Sequence, residues 1–166
     1  MIHNALAIAG SDPSGGAGIQ ADLKVFSAHK VYGMAAITAL TAQNTQGVRS
    51  VVSVPERFMR DQLAAIFDDI DVHAVKIGML SSSDIINAVA DMLEKYQAKN
   101  IVLDPVMVAT SGDPLIDQDA VHALKERLIP MAHVMTPNIP EAEKLSRKAV
   151  IDMENAAQGL LSLGSS

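Results

Sequence analysis

The chain has 166 residues, 49% of them hydrophobic and 19% charged, which excludes a disordered or low-complexity protein and fits one α/β domain. Its 13 Lys and Arg against 19 Asp and Glu give a formal net charge of -6 without a basic cluster, so no nucleic-acid partner is expected. The absence of cysteine excludes disulfides and thiolate metal sites and favours a reducing compartment.

The N-terminal segment and the apolar runs carry no membrane signal. The first ten residues lack the basic flank and the length of a signal peptide. The longest apolar runs are far shorter than a membrane span. We therefore expect a soluble, cytoplasmic protein that does not contact a membrane.

Short apolar runs alternate along the chain with segments of helical spacing. The runs predict buried strands at Ala5–Ala9, Ala35–Leu40, Ala74–Ile77, Ile101–Leu103 and His133–Met135. The helical spacing predicts helices at Ile19–Phe26, Phe58–Ile70 (opened by Pro55 at its first helical position), Asp84–Gln97, Asp117–Leu128, Glu141–Ser146 and Met153–Leu163. This alternation predicts βαβ units, and hence one parallel sheet with helices on both faces.

Two segments depart from this pattern. Arg49 and Ser50 interrupt the apolar run Val48–Val54, which predicts an edge strand outside the main layer. The last residues, Leu163–Ser166, resemble a helix C-cap, a point from which an α/β chain normally turns into its next strand. We therefore expect residues 1–166 to form a partial domain, truncated at the C-terminus.

A glycine-rich loop, Gly10–Gly18, joins the first predicted strand to the first predicted helix. Its four glycines permit positive φ and close approach to a ligand, and we expect the helix N-terminus to offer unpaired N–H groups. A plain turn needs fewer residues, so a ligand-binding loop is favoured. It is not a P-loop, because Gly16 and Ala17 stand where Lys and Ser or Thr are required. A dinucleotide motif is also disfavoured, since no acidic residue follows about twenty positions later.

Polar residues follow several predicted strands, at the edge where ligands bind open parallel sheets. Gln43 can both donate and accept hydrogen bonds, as the edge of an aminopyrimidine requires. Met79 can pack its flexible thioether against a flat ring. Asp104, Asn138 and Glu141 bring oxygen groups to the same edge, and carboxylates with waters suit Mg²⁺ bound to nucleotide phosphates.

Each of these residues also has an ordinary structural explanation. Gln43 can equally cap a turn, and Asp104 and Asn138 are common turn residues. Glu141 is a favourable charge in the first turn of a helix. The functional interpretation therefore depends on their occurring together. The five histidines show no metal-ligand spacing, and neither a Ser-His-Asp set nor a G-x-S-x-G elbow can be identified.

By these motifs the chain resembles the hydroxymethylpyrimidine and phosphomethylpyrimidine kinases of thiamine biosynthesis, a branch of the ribokinase-like superfamily. The matching segments, in the order that the family has them, are Ala9–Asp22, Thr41–Thr45, Lys76–Leu80, Asp104–Val106 and Thr136–Glu143. The first segment is specific to this branch, whereas the Asn-x-x-Glu part of the last is shared across the superfamily. The resemblance covers essentially the whole chain and implies a ribokinase-like three-layer α/β/α fold, of which this chain is the N-terminal portion.

The resemblance implies that a homodimer uses ATP and Mg²⁺ to phosphorylate 4-amino-5-hydroxymethyl-2-methylpyrimidine and then its monophosphate. The pyrimidine would be bound by Gln43, Gly10, Ala17, Asp22, Met79 and Val106. The metal would be bound by Asp104 and Glu141, and the nucleotide phosphate by Asn138. The family's catalytic base and anion hole lie in a later glycine-rich segment, beyond Ser166, so we expect residues 1–166 alone to be inactive.

Two alternatives remain open at the level of sequence. A pyridoxal or pyridoxine kinase would share the fold and phosphorylate a similar hydroxymethyl group on a flat heterocycle, although the Gly10–Gly18 loop favours the pyrimidine branch. A non-catalytic binding or assembly module is the alternative from a different class, because the expected catalytic segment is missing.

Overall fold

The computed structural model describes residues 2–107, 116–161 and 164 of the chain. In this part the strands are β1 (Asn4–Ala9), β2 (Tyr32–Ile37), β3 (Ala39–Asn44), β4 (Gly47–Ser53), β5 (Ala74–Ile77), β6 (Ile101–Leu103) and β7 (Val134–Met135). The α-helices are α1 (Gly18–Ala28), α2 (Glu56–Phe67), α3 (Ser83–Lys95), α4 (Gln118–Ala123), α5 (Ile139–Ser146) and α6 (Met153–Leu161). None of these helices is both long and apolar enough to cross a membrane.

The central sheet of the described residues has five parallel strands in the order β2, β1, β5, β6, β7. Strand β1 is buried because both of its faces are covered. Leu6 and Ile8 of β1 pack into the larger core with residues of α2 and α3, whereas Ala7 and Ala9 pack with Ile19 of α1 on the other face. The predicted α/β class with a parallel sheet is thus confirmed.

The predicted strand Ala35–Leu40 is wrong, because the chain bends within it. Strand β2 ends at Ile37, and β3 begins at Ala39 in a different sheet. Between them the buried Thr38 donates its N–H to the Ala9 carbonyl at 3.0 Å and its hydroxyl to the Met79 carbonyl at 2.7 Å. An apolar run does not reveal such a bend, because its cause is hydrogen bonding to residues distant in sequence.

A separate two-stranded sheet, the β3–β4 hairpin, follows this bend. The strands pair antiparallel from Ala39 opposite Ser53 to Asn44 opposite Gly47. This pairing confirms that the run Val48–Val54 lies outside the main sheet. It also corrects the position of Thr41–Asn44, which belong to β3 and do not follow a strand of the main sheet.

Two helix predictions are corrected in detail. The segment Asp117–Leu128 is α4 followed by a wider π-helical turn at Leu124–Leu128 and a 3₁₀ turn at Ile129–Met131, where Pro130 can no longer continue an α-helix. Pro55 is the N-cap of α2 rather than its first helical residue. The predicted C-cap at 163–166 and the end of the last predicted helix rest largely on residues 162, 163, 165 and 166, which lie outside the described part.

An ion-pair network ties three helical segments together on the outer surface. Asp91 of α3 accepts hydrogen bonds from Arg127 at 2.6 Å and from Arg60 of α2 at 2.8 Å. The hydrogen bonds from Arg127 and then Arg60 outweigh the effect of burial and lower the pKa of Asp91 below its ordinary value. The network joins α2 and the turn after α4 to α3 on the outer surface of one helical layer.

Candidate functional site

A cavity of about 590 Å³ opens at the carboxyl edge of the central sheet. It lies between the ends of β1, β5 and β6, the start of α1 and the β3–β4 hairpin. In open α/β sheets, ligands bind at this edge, because the loops there are free to carry polar groups while the strands hold them in place. The cavity is therefore the candidate ligand site.

The glycine loop at the cavity is held by one buried carboxylate. Asp12 is 2% exposed and accepts hydrogen bonds from the Ser14 hydroxyl at 2.7 Å, the Ser14 N–H at 2.9 Å, the Ala17 N–H at 2.9 Å and the Gly16 N–H at 3.0 Å. Burial by itself would raise the pKa of Asp12, but these hydrogen bonds together outweigh it and lower the pKa below its ordinary value. Asp12 is thus charged and structural.

These bonds correct the expectation that the loop offers unpaired N–H groups to a ligand. The N–H groups of Gly16 and Ala17 are satisfied by Asp12, and that of Ile19 donates to the Gly10 carbonyl at 3.0 Å. The amides at these three positions therefore bind the protein itself. The loop contributes a fixed shape to the cavity rather than an anion cradle at this point.

Gly18 is the position where the loop requires glycine. Its φ is +56°, and a Cβ built on it would lie 2.3 Å from the Gly10 carbonyl oxygen. That contact is with backbone, so no side-chain rotation can relieve it. The first and last glycines of the loop thus meet directly, and this contact brings the start of α1 to the end of β1.

The β3–β4 hairpin is fastened to the same loop. The Ser11 N–H donates to the Ala39 carbonyl at 2.9 Å, and the Thr41 hydroxyl donates to the Ser11 carbonyl at 2.7 Å. Gln43 lies two residues further along β3 and lines the cavity. The structure therefore places Gln43 on the hairpin, whereas the sequence pattern placed it at the end of a strand in the main sheet.

Lys76 is a charged residue of the site to which sequence reasoning gave no role. Its Nζ lies 3.2 and 3.3 Å from the two carboxylate oxygens of Asp22 and 3.5 Å from Oδ2 of Asp104. The ammonium group approaches so closely to Gly78 that a Cβ there would be 3.0 Å from it. A lysine inside the otherwise apolar strand β5 was the available signal, because such a charge needs a partner when the strand is covered on both faces.

The cavity brings together most of the predicted site residues. Its lining includes all six residues assigned to the pyrimidine and one of the two assigned to the metal, namely Gly10, Ala17, Asp22, Gln43, Met79, Val106 and Asp104. Asn138 and Glu141 are not among the described residues that line it. They follow β7, the strand next to β6 in the sheet.

Asn138 and Glu141 form a reciprocal capping box at the start of α5. The Glu141 N–H donates to Oδ1 of Asn138, and the Asn138 N–H donates to Oε2 of Glu141, both at 2.9 Å. Glu141 is 4% exposed, so its carboxylate is fixed by this bond. No group of three His, Asp or Glu side chains within residues 2–107 and 116–161 is arranged to hold a metal ion by itself.

The parallel sheet, the fixed glycine loop and the cavity at the strand ends define a ribokinase-like α/β protein with a candidate site for a small ligand. The family model for phosphomethylpyrimidine kinase matches residues 12–166. The chain is 52% identical over 165 residues to the hydroxymethylpyrimidine/phosphomethylpyrimidine kinase of Escherichia coli, covering 97% of this chain and 62% of that protein. It is 45% identical over 166 residues to the corresponding kinase of Bacillus subtilis, covering 98% of this chain and 61% of that one.

Solved structures agree with this assignment. Phosphomethylpyrimidine kinase from Clostridium difficile superposes with a TM-score of 0.92 at 48% identity, over 98% of this chain and 72% of that one. An ADP complex of Bacillus subtilis pyridoxal kinase superposes with a TM-score of 0.87 at 43% identity, over 99% of this chain and 63% of that one. The chain belongs to the phosphomethylpyrimidine kinase family, and it spans 62% of the length of the Escherichia coli relative.

The contact between Gly10 and Gly18 predicts different outcomes for two neighbouring alanine substitutions. Gly18→Ala should lower the free energy of unfolding by about 2–4 kcal/mol, because it combines a left-handed φ with a backbone collision. Gly16→Ala is the matched control, since its Cβ would meet only Oδ2 of Asp12 at 3.7 Å. Urea unfolding of both variants measures the difference, and equal losses of stability would show that the contact does not hold the loop.

Proposed function

We propose that the cavity binds 4-amino-5-hydroxymethyl-2-methylpyrimidine and its monophosphate, as the substrate site of an ATP-dependent kinase of thiamine diphosphate biosynthesis. The observation that carries this proposal is the convergence of Gly10, Ala17, Asp22, Gln43, Met79 and Val106 on one cavity. Membership of the phosphomethylpyrimidine kinase family supports it. The homodimer and the cytoplasmic location that the sequence suggests stay predictions.

The cavity chemistry suits an aminopyrimidine. The amide of Gln43 can donate and accept at once, which matches a ring nitrogen beside an exocyclic amine. Met79 and Val106 supply apolar surface, and the thioether of Met79 adapts to a flat ring. Gly10 keeps this space open, because a Cβ there would lie 2.9 Å from Cε of Met79.

The nucleotide phosphates are assigned to the strand ends beside the pyrimidine. Asp104 follows β6, and Asn138 and Glu141 follow β7. Directly after β7, the Thr136 N–H donates to the Leu103 carbonyl of β6 at 3.0 Å. Mg²⁺ usually takes one or two carboxylates and completes its shell with waters and phosphate oxygens, so a three-residue protein cluster is not required. Asp104 and Glu141 would hold Mg²⁺ and Asn138 the phosphate. When bound, the metal neutralises phosphate charge.

A second candidate function is pyridoxal phosphorylation. The specific observation in its favour is the likeness to Bacillus subtilis pyridoxal kinase, with a TM-score of 0.87 at 43% identity. Its substrate is also a flat heterocycle with a hydroxymethyl group. The family match over residues 12–166 favours the pyrimidine. Calorimetric titration of the chain with each heterocycle separates the two candidate functions. Tighter binding of pyridoxal than of the pyrimidine would make pyridoxal phosphorylation the better-supported function.

Gln43→Ala should weaken pyrimidine binding by about 1–3 kcal/mol, because a buried heterocycle cannot replace the lost hydrogen bonds. Isothermal titration calorimetry gives the two affinities. Leu40→Ala is the control, since Leu40 lies on the outer face of the same strand and is 52% exposed. Unchanged affinity in Gln43→Ala would remove this residue from the binding site.

Glu141→Gln separates a metal role from a capping role. A glutamine at this position can still accept from the Asn138 N–H, so the capping box and the fold should persist while the charge is lost. We expect Mg²⁺-dependent ATP binding to weaken roughly tenfold and pyrimidine binding to stay the same. Glu143→Gln is the control in the same helix, because Glu143 accepts from the Val150 N–H at 2.9 Å. An equal fall in pyrimidine binding would make Glu141 purely structural.

We also infer that residues 1–166 by themselves bind ligand but do not complete phosphoryl transfer. The support is the length of the relatives, since the match covers 62% of the Escherichia coli kinase. Removing even one donor from an anion hole commonly costs roughly 10²–10³ in rate. A coupled ADP-release assay tests this. Turnover at about 1–100 s⁻¹, a rate typical of kinases, would overturn the inference.

A further inference from the structure

The β3–β4 hairpin contains a register shift at the cavity. Gln43 pairs with Val48, Ala42 with Ser50, and Thr41 with Val51. Two steps along β3 therefore correspond to three steps along β4, and Arg49 has no partner in the pairing. This is a β-bulge, in which one extra residue on one strand is accommodated by a local bend.

The bulge changes which side chains of β4 face the cavity. In a regular strand, residues three apart point to opposite faces, so Val48 and Val51 would be separated. Because the bulge absorbs one residue, both valines instead lie opposite Gln43 and Thr41, which share one face of β3. Val48 and Val51 both line the cavity, although Val51 is also 42% exposed, whereas Val52 does not line it and is 65% exposed.

We propose that Val48 and Val51 are specificity-determining residues for the heterocycle, brought to one face of the hairpin by the bulge at Arg49. This inference rests on the proposed function of the cavity. The two branched side chains form an apolar wall across from the residue pair Thr41 and Gln43. The wall accepts the methyl-bearing, hydrocarbon part of a ring, while Gln43 reads its hydrogen-bonding edge.

The same wall disfavours a ring with a polar substituent on that side. A valine offers no hydrogen-bond partner, so a hydroxyl or charged group pressed against it loses water without replacement. Specificity for an apolar ring edge would then come from Val48 and Val51 of β4, and specificity for the hydrogen-bonding edge from Gln43 of β3. Neither valine belongs to a strand of the central sheet, so this wall can vary without change to the core.

Isosteric substitution of each valine by threonine tests the wall. Val48→Thr and Val51→Thr place a hydroxyl in the cavity and should each raise the Kd for 4-amino-5-hydroxymethyl-2-methylpyrimidine roughly tenfold. Val52→Thr is the matched control, because it makes the same change on the outer face of the same strand and should leave Kd within about twofold. Thermal unfolding of all three variants checks that the hairpin is intact.

Two results would overturn different claims. If the unaltered chain binds the pyrimidine and Val48→Thr and Val51→Thr bind it as tightly as Val52→Thr does, the wall has no role and the inference is wrong. If Val48→Thr and Val52→Thr weaken binding while Val51→Thr does not, the strand has regular alternation and the bulge argument is wrong. If the unaltered chain binds pyridoxal but not the pyrimidine, the proposed function fails. The Kd values of the same three variants for pyridoxal then show whether Val48 and Val51 contact a bound heterocycle.

Discussion

The charged, buried Asp12 is the interaction on which the rest of the site depends. Its carboxylate accepts hydrogen bonds from three N–H groups and one hydroxyl of the glycine loop. Its own N–H donates to Oε1 of Gln20 in α1 at 2.7 Å. A loop with four glycines would otherwise sample many conformations, because glycine restricts the backbone so little. With the loop fixed, the end of β1 meets the start of α1, and Ser11 is positioned to anchor the hairpin. The cavity wall formed by the hairpin is thus held indirectly by one carboxylate.

Lys76 pairs with two carboxylates that line the cavity. Its ammonium lies between Asp22 on α1, assigned to the pyrimidine, and Asp104 after β6, assigned to the metal. The two carboxylates would repel each other, and the cation between them offsets that repulsion. The side chains of Lys76 and Asp22 are only 24% and 16% exposed, so the pairing is weakly screened by solvent. Lys76 therefore links the proposed substrate side and the proposed phosphate side through a single position on the central strand β5.

The fold by itself does not choose the substrate. The chain superposes about as well on a pyridoxal kinase as on pyrimidine kinases, with TM-scores of 0.87 and 0.92 for the two examples above. The central sheet and its helices are common to both, so under the proposed function selectivity would lie in side chains of the cavity. The hairpin is the part best suited to carry it. Its bulge decides which residues of β4 face the cavity.

The sequence by itself determined the α/β class and the glycine loop, because these depend on local patterns. Of the seven predicted site residues that line the cavity, Gln43, Met79 and Asp104 followed from patterns at strand ends, whereas the site roles of Gly10, Ala17, Asp22 and Val106 followed from the family resemblance. It placed Gln43 in the site but on the wrong element, and it gave no sign of the bend at Thr38 or the bulge at Arg49. Lys76 signalled a charge that needs a partner, but the sequence did not show which residues pair with it. The capping box of Asn138 and Glu141 was recognisable only as a favourable helix start. The bend, the bulge and the partners of Lys76 depend on pairing between residues of different elements, whereas the capping box is local to the start of α5. Hydrogen-bond register and charge neutralisation are set when strands and helices meet, so only the tertiary structure decided which side chains face the cavity.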